Sequence, residues 1–234
     1  MNVAVRGGTD DDSAAIAVGG GSVVDEDDDH ETLVAVGDDA IRSLTTEPPS
    51  APVLPVTAEA GRHRVARDDL DAAVAALAAG DRRVDAHPVL GLSHEGSAIA
   101  RALRDVTFVT DAPASISEYA VATGEERLGS VRADGFVVAT PLGSDGYASV
   151  AGGAVLEAGT GVTVVPIAPF STETETYVVD PAPDAPLSVS VERDGAVALV
   201  ADGVRYGAVD RGADLRVERV DTVDLVLPNR TENF

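Results

Sequence analysis

The sequence has 234 residues, of which 44% are hydrophobic and only 3% aromatic, and its 40 acidic and 17 basic residues give a net charge of −23. A chain of this length buries enough core for one large domain or two small ones. The charge argues against nucleic-acid binding through phosphates. The lack of cysteine excludes disulfides, thiolate metal sites and cysteine nucleophiles.

The basic residues are all arginine, and the acidic residues are spread along the chain. This composition indicates a protein of a salt-loving microbe, because in molar salt the Debye length falls to about 3 Å and repulsion between like charges is screened. An acidic surface made for a basic partner is the alternative. No apolar run approaches the roughly 20 residues of a spanning helix, and no signal peptide is apparent. We therefore expect a soluble, cytoplasmic protein that does not contact membranes.

The first part of the chain combines short strands with short helices. The predicted strands are residues 2–5, Ser22–Val24 and Thr32–Val36, and the predicted helices are residues 13–18 and a segment beginning at Ala40. A proline-rich connection follows at residues 47–56. Such a mixture is typical of α/β organisation.

Residues 67–81 give the clearest helix pattern. Acidic residues favour the beginning of this helix, and Gly80 suits its end. Leu70, Val74 and Leu77 are spaced so that they share one face. A further helix is predicted at residues 97–103.

From about Val106 the pattern changes to short strand candidates separated by Gly, Pro and Asp turns. Residues 187–191 and 215–220 alternate between apolar and polar, as half-buried antiparallel strands do. The predicted fold class is therefore α/β plus all-β. An N-terminal Rossmann-like α/β domain, residues 1–103, precedes a β-rich, β-sandwich-like domain, residues 104–234.

The segment ADGFVVATPLGSDGYASVAGG, residues 133–153, carries the strongest functional pattern. A buried strand runs into a Thr-Pro turn, which is followed by a Gly-Ser-Asp-Gly loop and a tyrosine. Glycines let the backbone approach a ligand, and hydroxyl and N–H groups bind ribose or phosphate oxygens. On composition alone, an ordinary strand–turn–helix connection is about as consistent with this segment.

The order of residues in this segment resembles the NAD kinase signature D-G-x-x-x-x-T-P-T-G-S-T-A-Y-x-x-x-A-G-G. The matching positions are Asp134, Gly135, Thr140, Pro141, Gly143, Ser144, Tyr147, Ala151, Gly152 and Gly153. Leu142, Asp145 and Gly146 replace the usual Thr, Thr and Ala. Residues 164–170 and 199–207 resemble two later family motifs, and the second of these retains Asp202 and Gly203.

The resemblance implies phosphorylation of the 2′-hydroxyl of NAD, with ATP or polyphosphate as donor and Mg²⁺ or another divalent metal as cofactor. It also implies a site between the two domains, NAD or NADP as ligands, and a homo-oligomer. The residues that it assigns to dinucleotide binding are Arg104, Asp105, Asp134, Thr140, Gly143, Ser144, Asp145 and Tyr147.

The family motif G-G-D-G-T, which holds the catalytic acid and the donor phosphates, is altered here. The best alignment places Val36, Gly37, Asp38, Asp39 and Ala40 against it. Asp38 then keeps the catalytic acid, and Gly37 and Asp39 form the phosphate-donor loop. A carboxylate at Asp39 repels a triphosphate unless a divalent ion lies between them. No metal ligands can be assigned.

The family motif Asn-Glu or Asn-Asp aligns with Arg104 and Asp105, and the family histidine after P-I-x-P is Phe170. Arg104 in place of Asn favours a dinucleotide that already carries an extra phosphate, although an exposed arginine at a helix end is an equally good interpretation. The four histidines are scattered without metal-ligand spacing.

Two alternatives to a working kinase remain open. The first is a family member that binds NAD(P) or another nucleotide as a sensor or regulatory subunit, because the acceptor loop is retained while the donor loop is altered. The second is a lipid kinase of the related diacylglycerol kinase group. The form of residues 133–153 and the acidic surface, which is repelled by anionic membranes, make the second less favoured.

Overall fold

The computed structural model describes residues 1–111, 116–124, 126–193 and 196–229. The chain is mostly strand with a few short helices. It divides into two compact units, one of Met1–His87 together with the C-terminal residues from Val223, and one of Pro88–Thr222. The sequence had placed a boundary after Leu103, whereas this division falls after His87 and the last strand returns to the first unit.

The first unit holds most of the helical structure. In chain order its elements are β1 (Asn2–Arg6), α1 (Asp10–Val18), β2 (Ser22–Val24), β3 (Thr32–Val36), α2 (Asp38–Ser43), β4 (Val53–Thr57), β5 (Val65–Ala66) and α3 (Leu70–Ala78). The clearest predicted helix is confirmed as α3, which is preceded by a 3-10 turn, Arg67–Asp69. Gly80 follows it with a φ of 82°. The proline-rich connection was wrong in part, since it contains the fully buried start of β4.

The second unit is built almost entirely of strands. Its elements are β6 (Arg82–His94, which begins in the first unit), β7 (Ser97–Ala102), β8 (Asp105–Thr110), β9 (Ser117–Thr123), β10 (Glu126–Ala139), α4 (Pro141–Gly143), β11 (Val162–Pro169), β12 (Tyr177–Val179), β13 (Leu187–Arg193), β14 (Val197–Ala201), β15 (Val204–Val209) and β16 (Asp214–Pro228).

The helix predicted at residues 97–103 is wrong, because this segment is β7. It pairs antiparallel with β6, so that Leu90 lies opposite Ala102. Glu95 and Gly96 connect the two strands, and both have positive φ, 49° and 77°. A two-residue turn of this kind matches the twist of paired strands and therefore forms a hairpin.

The sheet of the first unit is parallel and runs in the order β2-β1-β3-β4. The C-terminal part of β16 joins β4 in parallel, with Leu225 opposite Val53. Ile16 of α1 and Leu70 and Val74 of α3 pack into the core of this unit. Small apolar side chains thus build the layer of helix on sheet.

The sheet of the second unit is antiparallel, in the order β15-β14-β8-β10-β9-β13-β16, and β11 pairs with β10. Phe108, Tyr119 and Phe136 are the largest side chains of its core. Because β10 lies between β8 and β11 along residues 135–139, its end is held on both edges. No helix among the described residues is long and apolar enough to cross a membrane.

Two histidines are buried together in the first unit. The rings of His63 and His87 are 4.6 Å apart in an edge-to-face arrangement, and both side chains are inaccessible to solvent. Neither ring nitrogen of His87 has a hydrogen-bond partner among the described residues. Burial, and then the neighbouring His63, lower the pKa of His87 to about 3.

We expect His87 to make the first unit less stable in acid. Below about pH 6.5 the unfolded chain binds a proton at this histidine and the folded chain does not, so the free energy of unfolding falls by up to about 1.4 kcal/mol per pH unit. His87→Leu should reduce this pH dependence between pH 7.5 and 5. Denaturant unfolding at constant high salt measures it, with His30→Gln as the control. An unchanged pH slope in His87→Leu would contradict the assignment.

Candidate functional site

The conspicuous loop of the sequence follows directly from the end of β10. Thr140 is the N-cap of α4, and Pro141 occupies the first helical position, where its missing N–H is not needed. The chain continues through Ser144–Ala148, where a kink at Gly146 with non-helical φ −89° and ψ −130° separates two helical turns.

The hydroxyls of Thr140 and Ser144 bind groups of the protein itself. Both side chains are fully buried. Thr140 Oγ1 donates to the carbonyl of Leu103 at 2.6 Å, and Ser144 Oγ donates to the carbonyl of Pro141 at 2.9 Å. Ser144 Oγ also accepts from the N–H of Leu156 at 2.9 Å. The sequence had assigned these two hydroxyls to ligand oxygens, but in this arrangement they shape the loop.

The outward side of the loop is formed by other residues. The side chain of Tyr147 is 51% exposed and that of Val150 is 83% exposed, while Asp145 is partly buried. Ala148 anchors the inner side by packing against Val137 of β10. An exposed tyrosine on a firmly packed turn provides a flat surface for an aromatic base or a sugar.

Arg104 and Asp105 lie beside this loop. The N–H of Thr140 donates to the carbonyl of Arg104 at 2.8 Å. A Cβ atom on Gly143 would lie 2.3 Å from that same carbonyl oxygen, so only glycine fits there. The structure therefore brings Arg104, Asp105, Thr140 and Gly143 together within the second unit.

Asp105 is a partly buried carboxyl. Thr107 Oγ1 donates to its Oδ1 at 3.0 Å. Burial, and then the nearby carboxylate of Asp202, raise the pKa of Asp105 above its usual range. A raised pKa is common in functional sites, because it allows a carboxyl to bind or release a proton closer to neutral pH.

The side chain of Asp134 lies on the face of β10 opposite the one that packs against the loop. Side chains alternate along a strand, and Phe136 and Val138 point into the main core of the second unit, whereas Val137 and Ala139 contact the loop. Asp134 shares the side of Phe136 and is exposed. The structure thus separates Asp134 from the loop residues within this chain, although all of them match one sequence signature.

Gly37, Asp38 and Asp39 belong to the first unit, at the carboxyl end of β3. Gly37 has a φ of 86°, a conformation that favours glycine, and its N–H donates to the carbonyl of Val56 at 2.8 Å. Asp38 and Asp39 begin α2 and are exposed. Arg42 Nη2 lies 2.6 Å from Asp39 Oδ1, so the carboxylate expected to repel donor phosphates has a cation beside it.

The residues that the structure describes include no group of three or more His, Asp or Glu side chains able to hold a metal ion. A divalent ion on one or two carboxylates and the phosphates of a ligand remains chemically suitable, because Mg²⁺ is usually bound in this way. Asp38 and Asp39 provide accessible oxygen atoms of the required kind.

The sequence did not predict a cavity of about 600 Å³ in the second unit. Phe136, Tyr177 and Arg132 contribute to its lining, and Phe170, which replaces the family histidine, lies at its edge with 73% of its side chain exposed. The Arg132 guanidinium lies 5.7 Å from the centre of the Phe170 ring. Phe170, an aromatic residue where the family motif has histidine, was the available signal in a chain with few aromatics.

Comparison with known proteins agrees with the sequence resemblance. The family model of the ATP-NAD kinase C-terminal domain matches residues 103–224, more than half of the chain. The NAD kinase of Methanopyrus kandleri is 33% identical over 147 residues, which are 62% of this chain and 52% of that protein. The chain spans about half the length of the relatives that it matches in sequence.

Two solved structures share the fold. An NAD kinase from Archaeoglobus fulgidus in complex with ATP has a TM-score of 0.70 at 23% identity, covering 100% of this chain and 96% of that one. Yeast NADH kinase complexed with NADH has a TM-score of 0.69 at 16% identity, covering 100% and 84%. At these identities the likeness establishes the fold alone.

Two glycines of the same loop should respond differently to alanine. Gly143→Ala should lower the free energy of unfolding by about 1–3 kcal/mol, because the added methyl group overlaps the carbonyl of Arg104. Gly146→Ala is the matched control, since a methyl group at that position would have no atom within 4 Å of it. Denaturant unfolding of both variants measures the difference, and equal effects would contradict the close approach.

Proposed function

We propose that this chain, which belongs to the ATP-NAD kinase family, transfers a phosphoryl group to the 2′-hydroxyl of the adenosine ribose of NAD and so forms NADP. The observation that supports this most directly is the assembly of Arg104, Asp105 and the Thr140–Gly143 turn in one place. These residues come from two family motifs separated in sequence, and backbone hydrogen bonds join them.

In the proposed reaction the loop of the second unit holds the dinucleotide. Tyr147 offers an exposed ring for stacking, and Asp105 offers a carboxylate to ribose hydroxyls. Positioning of this kind supplies much of the rate in phosphoryl transfer, because the protein contributes little covalent chemistry.

Asp38 is proposed as the catalytic base. Its exposed carboxylate would accept the proton of the 2′-hydroxyl while the oxygen forms a bond to the terminal phosphorus of the donor. The bond from that phosphorus to the bridging oxygen breaks, and the shortened donor leaves with the electron pair. ATP is the proposed donor, and polyphosphate is the alternative.

A divalent cation, Mg²⁺ by preference, is proposed to accompany the donor. Asp39 would provide a protein oxygen to it, and the ion would offset the charge of the phosphates. The Arg42–Asp39 pair reduces the repulsion that the sequence alone led us to expect at this loop.

The acidic composition leads us to propose a cytoplasmic protein that works in high salt. A homo-oligomer is also proposed from the family resemblance, as is the Rossmann-like and β-sandwich-like character of the two domains. Sedimentation in molar and in dilute salt tests whether the chain forms a homo-oligomer and whether it needs high salt to stay folded.

The alternative is a family member that binds NAD(P) without efficient transfer. It is favoured by the altered donor loop, in which Val36 and Asp39 stand where the family motif has glycine. Assay of the purified protein in high salt with NAD, ATP and Mg²⁺ separates the two. NADP formation supports the kinase, whereas NAD binding without NADP would identify the alternative.

Within the kinase proposal, Asp38→Asn should lower turnover by at least about a hundredfold, because the base is lost. The affinity for NAD should change less than about twofold, since the dinucleotide residues are intact. Initial rates and calorimetric titration measure the two effects. Asp29→Asn, in an exposed acidic loop, is the control for loss of one charge. Unchanged turnover in Asp38→Asn would remove Asp38 from the mechanism.

Arg104 is expected to favour the phosphorylated dinucleotide. Arg104→Asn should weaken NADP binding by about tenfold, because a contact between a guanidinium and a phosphate is lost. NAD binding should weaken less. Calorimetric titration with both ligands gives the ratio of affinities, and Arg101→Asn on the neighbouring strand serves as the control. An unchanged ratio in Arg104→Asn would refute a contact with the extra phosphate.

A further inference from the structure

The hairpin between β14 and β15 turns at Asp202 and Gly203. Both residues have positive φ, 46° and 80°, which is the backbone of a tight two-residue hairpin turn. The tips of hairpins usually lie in solvent, yet Asp202 is only 1% exposed. The turn itself does not require this carboxylate, because asparagine or glycine adopts the same backbone.

The carboxylate of Asp202 binds the chain between β7 and β8. Its Oδ2 accepts from the N–H of Leu103 at 2.8 Å. Its Oδ1 accepts from the N–H of Arg104 at 2.7 Å and from that of Asp105 at 3.1 Å. The N–H of Asp202 donates in return to the carbonyl of Asp105 at 3.0 Å. Consecutive N–H groups around one carboxylate form a concave anion-binding backbone.

Thr140 completes the hydrogen bonding from the other side. It binds the carbonyl of Leu103 through Oγ1 at 2.6 Å and that of Arg104 through its N–H at 2.8 Å. Each N–H and carbonyl group of Leu103, Arg104 and Asp105 therefore has a partner in Asp202 or Thr140. Such a backbone cannot shift without breaking hydrogen bonds at buried groups, which costs more than an exposed bond.

We propose that Asp202 is a positioning residue of the dinucleotide site, which fixes the backbone from which Arg104 and Asp105 reach the ligand. The inference rests on the proposed function of this loop. It adds a residue that acts through its neighbours and does not itself touch the dinucleotide. Arg104 is held further by a contact of its Nη2 with the carbonyl of Asp202 at 3.4 Å.

The position of Asp202 also affects the pKa of Asp105. The charged groups that act on Asp105 are Asp202, which raises its pKa, and Arg104, which lowers it, while the hydroxyl of Thr107 lowers it through a hydrogen bond. Replacing Asp202 by a neutral residue removes a negative neighbour. The pKa of Asp105 should then fall, and any binding step that needs its ionised form should extend to lower pH.

The experiment compares NAD binding by the wild type, Asp202→Gly and Asp202→Asn in high salt. Asp202→Gly keeps the turn without the carboxylate, and Asp202→Asn keeps the shape without the charge. Both should weaken NAD binding by at least about tenfold, because buried N–H groups lose a charged acceptor. When NAD affinity is measured against pH, the pH at which half of the affinity is lost in acid, the acid midpoint, should also be lower in Asp202→Asn than in the wild type. Asp210→Asn, in an exposed turn of the same unit, should behave as the wild type.

Amide exchange of residues 103–105, followed by NMR, shows whether the backbone is released in the folded variants. Faster exchange together with weaker binding and a shifted midpoint supports the proposal. Folded variants with wild-type affinity and midpoint would overturn it, as would loss of folding in both variants, which would make Asp202 purely structural. A wild type that binds NAD without forming NADP refutes the kinase function alone, whereas a wild type that binds no dinucleotide refutes both.

Discussion

The proposed dinucleotide site depends on a short piece of backbone whose hydrogen bonds are all made within the protein. Leu103, Arg104 and Asp105 give all their main-chain hydrogen bonds to Asp202 and Thr140. Gly143 can approach because it has no side chain to meet the carbonyl of Arg104. A substitution among residues 103–105 therefore changes the side chain offered to a ligand, while the backbone hydrogen bonds of the assembly stay the same.

This constraint explains how the chain departs from its family pattern without losing the fold. Arg104 replaces an asparagine, but its N–H and carbonyl groups make the bonds that the assembly requires of any residue at this position. Asp145 and Gly146 likewise replace Thr and Ala in a part of the loop where there is more space. At the proposed donor loop, Arg42 lies one helical turn from Asp39 and partly compensates its charge.

Pattern alone predicted the features that depend on local sequence. Strands β2 and β3 and helix α3 follow from apolar spacing and from glycine at a helix end. The order of motifs also assigned Arg104 and Asp105 to dinucleotide binding, which stays a prediction. Family membership, expected from residues 133–153, is confirmed by the match over residues 103–224.

Features set by distant contacts were missed. β7 has a helix-like composition, but pairing with β6 through the Glu95–Gly96 turn makes it a strand. β4 was missed because prolines lie within and before it in the sequence. Its pairing with β3 and β16, which the sequence does not show, makes this segment a strand. The buried hydroxyls of Thr140 and Ser144 were assigned to a ligand, since sequence does not reveal which polar groups the protein itself satisfies. Asp202 was noticed only as part of a motif for the same reason.

The return of the chain at β16 affects the order in which the two units can complete their folding. Val226 and Leu227 belong to the core of the first unit, and Leu225 pairs with Val53. A ribosome therefore delivers every residue of the second unit before the first unit has received its last strand. The first unit therefore completes its sheet after the second unit has been synthesised, and until then the edge of β4 at Val53 is open to pairing with other chains.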